Sequence, residues 1–118
     1  MKIFRPPAWL LSLVLFVLTV VPATERPETG VDHNLEHFLP FAVLGALYAL
    51  GYANQFRRLV LGGLIFAGLL ELVQIPLPTR HARMEDFVVD AIAIALGICA
   101  VAILQAVYRS WRQPGLTQ

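Results

Sequence analysis

Residues 87–107 read FVVDAIAIALGICAVAILQAV, from Phe87 to Val107, an apolar run with Asp90 as its one ionisable member. A helix rises 1.5 Å per residue, so such a run crosses the roughly 30 Å of hydrocarbon in a bilayer. Upstream, Leu59 to Leu77 (LVLGGLIFAGLLELVQIPL) is a second run of this kind, broken by Glu71 and Gln74. Two more lie at Phe38 to Ala53 and Ala8 to Ala23. Both fall just short of the usual minimum of about 17 residues, so Trp9, Tyr48 and Tyr52 are expected to extend them to the interfaces. The reading is an all-α, polytopic membrane bundle of four transmembrane helices occupying 1–118 as one domain.

Composition agrees. Of 118 residues, 58% are hydrophobic and 14% charged, against about a quarter charged in a soluble domain. The net charge of +1 leaves no electrostatic footprint for nucleic acid. The one cysteine, Cys99, sits within an apolar run, so no intrachain disulfide forms. Gly62-Gly63 also lies inside a span, and neither a phosphate-cradling loop nor a nucleophile elbow is present.

Basic residues set the orientation. Lys2, Arg5, Arg57, Arg58, Arg109 and Arg112 lie on one side, and Arg26, Arg80 and Arg83 on the other. The excess side is cytoplasmic, which places both termini inside. The first segment has a second reading as a signal peptide, with a basic start at Met1 to Arg5, an apolar stretch at Trp9 to Val21 and a cleavage-like Val21-Pro22-Ala23. Either way Thr24 to Glu36 forms an outer loop, irregular at Pro27 and Gly30.

Small residues recur at four-residue spacing: Ala42 and Ala46, Gly63 and Ala67, Ala93 and Gly97. In lipid no hydrophobic effect drives helices together, and such stripes allow close backbone packing.

Ionisable groups at membrane depth carry the functional argument, because each must be paired or protonated there. His37 opens the second span. Glu71 lies a turn and a half inside the third, with Gln74 on the same face at i+3, and Asp90 lies one turn into the fourth, on one face with Asp86. All point toward the outer leaflet, where the loop Pro78 to Glu85 adds Arg80, His81 and Arg83. Against each stands a plain structural role. Asp86 would cap its helix, Arg80 and Arg83 would meet lipid head groups, and His37 would bond a backbone carbonyl. Glu71 would make an interhelical bond. His37, His81, Glu71, Asp86 and Asp90 are legitimate metal ligands, but their spacing matches no metal signature, and neither metal nor cofactor is expected.

The series Glu71-Leu-Val-Gln74, Pro78-Thr-Arg80, Asp86, Asp90 and Gly97 resembles the E-x-x-Q, P-x-R, D and N-x-x-G-x-x-x-G series of VanZ-like membrane proteins. His37-Phe38 with Phe41 is similar to that family's H-F-x-x-F. Asp90 stands where the family has Asn, Ala93 where it has its first glycine, and the family's Asp-Lys before the histidine is not reproduced at the expected spacing. The resemblance implies a small multi-helix protein of the bacterial cytoplasmic membrane, in a family whose founding member is associated with resistance to the glycopeptide teicoplanin.

The expected function is therefore binding, or chemistry, on a phosphate-bearing lipid or lipid-linked envelope precursor. Glu71, His37 and Asp90 are the catalytic candidates. Gln74, Arg80, Arg83 and Asp86 are the binding candidates, the arginines holding the anionic group. Two other classes stand beside it. One is an accessory subunit packing against an envelope complex or against another copy of itself. The other is a small transporter, against which count the absence of ionisable groups from the inner halves of the spans and the lack of an inverted repeat.

Overall fold

A computed structural model describes residues 2–21, 33–76, 84–113 and 115. Among them the chain is all helical. A 3-10 turn at Lys2–Phe4 leads into α1 (Arg5–Val20), followed by α2 (His33–Gly51), α3 (Phe56–Gln74) and α4 (Met84–Arg112). Pro6 and Pro7 occupy the first turn of α1, where a missing N–H costs nothing. The link from α2 to α3 is tight and turns at Asn54, whose φ of 67° is one that asparagine tolerates better than most residues. α3 ends at Gln74 with Ile75 as its C-cap, just before Pro76.

Lys2–Val20 and Met84–Arg112 are long and apolar enough to cross a membrane, and Leu35–Gly51 is a shorter apolar helix. The outward surface fits lipid better than water. Leu10, Leu61, Leu72 and Leu104 are each at least 60% exposed, on α1, α3 and α4, and a soluble domain rarely leaves so many large apolar side chains bare.

The interior is built on close approach. α2 and α4 pack most intimately. A Cβ added at Gly97 would strike the Ala42 carbonyl and lie 2.9 Å from the Ala46 nitrogen, and one at Gly45 would strike the backbone of Ile94. Ala67 and Ala93 are wholly buried. The four-residue spacing of Ala42, Ala46, Ala93 and Gly97 therefore marks a real helix contact. Leu44 and Ile98 fill the core beside it.

All four helices start before the expected spans, at Arg5, His33, Phe56 and Met84 rather than Ala8, Phe38, Leu59 and Phe87, and two of these shifts move candidate residues. α2 begins at His33 rather than Phe38, so Glu36 belongs to the helix and His37 lies a full turn inside it. α4 runs from Met84 to Arg112 rather than from Phe87 to Val107, which puts Asp86 inside its first turn and not at the residue before it. Hydropathy marks only what hydrocarbon covers, whereas helical hydrogen bonding continues through polar residues into the interface.

At the end of the bundle carrying the start of α1, polar contacts tie it to α2. Arg5 donates to the Gly51 carbonyl at 2.9 Å and lies over the Tyr52 ring. Trp9 donates to the Tyr52 hydroxyl at 3.0 Å, and the Ser12 and Tyr48 hydroxyls share a 2.8 Å bond.

Candidate functional site

The opposite end of the bundle gathers the candidates. His37 comes from the first turns of α2, Asp90 from the second turn of α4, and Glu71 and Gln74 from the last turn of α3. All four line one pocket of about 100 Å³, closed on the α1 side by Leu15, Leu18 and Thr19. Antiparallel packing explains the convergence, since the C-terminus of α3 lies beside the N-termini of α2 and α4.

At its centre His37 Nδ1 stands 3.1 Å from Asp90 Oδ1. Asp90 is 2% exposed. An ionised carboxylate only accepts, so with Asp90 charged the bond is donated by Nδ1–H of His37. Such an acid orients a histidine and fixes its tautomer. The ring also lies parallel to that of Phe41, one turn further along α2.

Glu71 is half-buried at the pocket wall, while Gln74 is buried. No buried side-chain polar atom among the described residues lacks a hydrogen-bond partner. Asp86, also buried, lies one turn before Asp90 but does not line the pocket. Arg80, Arg83 and His81 fall outside the described residues, as does the first half of the expected outer loop. Among the described residues no three His, Cys, Asp or Glu side chains form a group able to hold a metal ion.

Two polar pocket residues, Glu36 and Thr19, are not among the candidates read from the sequence. Glu36 falls in the expected loop because hydropathy starts the helix too late, at Phe38, whereas α2 starts at His33. Its signal was its place four residues before Pro40, which lacks the N–H that would otherwise bond the Glu36 carbonyl within the helix; both residues line the pocket. Thr19 is buried and donates to the Leu15 carbonyl at 2.7 Å, contributing a small polar surface from an otherwise apolar helix. Its only signal was a hydroxyl inside an apolar run.

The site thus combines an oriented imidazole, a second carboxylate and a buried amide in a small recess facing one end of the bundle. It has the means to hold a polar group and to move a proton. Comparison with curated proteins and with solved structures gives no match. A family model described as VanZ/LLP1 matches residues 11–105, which takes in most of α1, all of α2 and α3, and α4 through Gln105. The matched region carries the whole pocket, and the chain belongs to the VanZ/LLP1 family.

Proposed function

We propose that this VanZ-like membrane protein crosses the bacterial cytoplasmic membrane four times with both termini in the cytoplasm, and that its outward-facing pocket binds and acts on the head group of a phosphate-bearing lipid or lipid-linked envelope precursor. The observation that carries the reading is the convergence of His37, Asp90, Glu71 and Gln74 from three helices around one recess. Burying ionisable groups at this depth is costly, and a purely structural lock would need only one pair. In this proposal Arg80 and Arg83 hold the phosphate from the adjoining loop, Glu71 or His37 moves the proton, and Gln74 donates to the bound group. Asp90 positions the histidine, and Asp86 supports the entry of α4. By family, the biological outcome is lowered susceptibility to glycopeptides such as teicoplanin.

The test expresses wild-type protein, Glu71→Gln and His37→Ala at matched membrane levels in a susceptible host and measures teicoplanin susceptibility. It also measures turnover of lipid-linked phosphate substrates by the purified proteins. Loss of both readouts in correctly folded variants supports the site.

A second reading has its own observation: the His37–Asp90 pair joins the two most closely packed helices and would by itself lock the bundle of an accessory subunit. Under that reading Glu71→Gln disturbs folding rather than activity, and a partner copurifies in mild detergent.

A further inference from the structure

A second cavity, of about 340 Å³, lies between the polar pocket and the Arg5–Trp9 end of the bundle. The rings of Phe41, which lines the polar pocket, and Phe66, which lines this cavity, stand 6.4 Å apart between the two. Glycine makes the space. A Cβ on Gly62 would meet nothing within 4 Å, and Gly45 and Gly63 hold their helices close to Ile94.

The walls are hydrocarbon, among them Leu44, Phe66 and Ile98. The two hydroxyls present, Ser12 and Tyr48, are bonded to each other. A polar solute or water would find few partners here, whereas an alkyl chain would lose none. Ile65 and Leu69 lie on the rim and are more than half exposed, so the cavity opens sideways onto the surface that faces lipid.

The rim also carries one cation. Arg58 lines the cavity from the first turn of α3, and among the described residues neither its side chain nor that of Arg57 makes a hydrogen bond or ion pair. Arg5, by contrast, is already engaged with Gly51 and Tyr52. An uncompensated guanidinium at the mouth of an apolar slot complements an amphiphile with an anionic head.

We propose that this cavity holds one acyl chain of an anionic phospholipid from the leaflet on the Arg57–Arg58 side, with its phosphate on Arg58. The site is separate from the polar pocket and stands whether or not that pocket is catalytic.

The test uses the full chain, purified, delipidated and titrated with phosphatidylglycerol or phosphatidylcholine while bound lipid is counted by native mass spectrometry. Wild type is expected to retain one phosphatidylglycerol in preference to phosphatidylcholine. Arg58→Gln, at an exposed position, should weaken phosphatidylglycerol about fivefold and erase the preference. Gly62→Phe, directed into open space, should weaken both lipids about tenfold or more. Unchanged phosphatidylglycerol affinity in either variant overturns the proposal. So does a dimer that Gly62→Phe dissolves and added lipid does not, since a second copy would then be the occupant.

Discussion

His37 and Asp90, 53 residues apart in the chain, meet through Nδ1 and Oδ1 at 3.1 Å where α2 and α4 pack side by side. The pair sets a nearly buried carboxylate against an imidazole and aims the remaining ring nitrogen away from it. Whether the pair stabilises, orients or both is separable by substitution.

Asp90→Asn keeps an oxygen to accept from His37 and should leave the melting temperature in detergent close to wild type. Asp90→Ala removes the acceptor and opens a small void. It should cost about 1–2 kcal/mol, the upper range for a single interhelical bond in a membrane bundle. A loss of activity in folded Asp90→Asn would assign the carboxylate charge an orienting role beyond stability.

Glycines along the bundle should respond in opposite ways. Gly97→Ala drives a Cβ into the Ala42 carbonyl, backbone that has nowhere to move, and should destabilise by about 3 kcal/mol or more. Gly62→Ala adds its Cβ to open space inside α3 and should stabilise by about 0.5–1 kcal/mol through reduced backbone entropy. Thermal unfolding of the two variants side by side checks the contrast.

Sidedness is testable with thiols. After Cys99→Ala, a cysteine at Arg57 should react with an impermeant maleimide only when the cytoplasmic face is exposed, and one at Met84 should react in intact cells. The reverse pattern would invert the proposed topology.

In the polar pocket, Gln74→Leu is close in volume but removes a buried amide. It should weaken binding of a phosphate-bearing lipid about tenfold, as expected where a buried polar partner loses its mate. Leu72→Ala, on the exposed side of the same helix, should leave binding unchanged. Equal effects from the two would point to a general loss of α3 packing.

Much of this arrangement was legible beforehand. Four apolar runs became four helices, and two of these, Lys2–Val20 and Met84–Arg112, are long and apolar enough to cross a membrane. The pairs Glu71 with Gln74, and Asp86 with Asp90, share faces because i+3 and i+4 spacing places them there. Glu36 and Thr19 were not legible as pocket residues. A carboxylate at a helix entry and a hydroxyl in an apolar run have several local explanations, and only neighbouring helices select among them.

By itself, then, the sequence determined the helical secondary structure, the apolar character of the helices and the placement of His37, Glu71, Gln74 and Asp90 toward one end, because these follow from hydropathy and helical period along a single segment. The tertiary structure decided that Asp90 faces His37, that Asp86 stays behind it, and that glycines on α2 and α3 leave an apolar cavity beside Arg58. Such facts depend on the rotation and depth at which helices meet, which are set by the fit of small residues such as Gly45 and Gly97 against a partner's backbone.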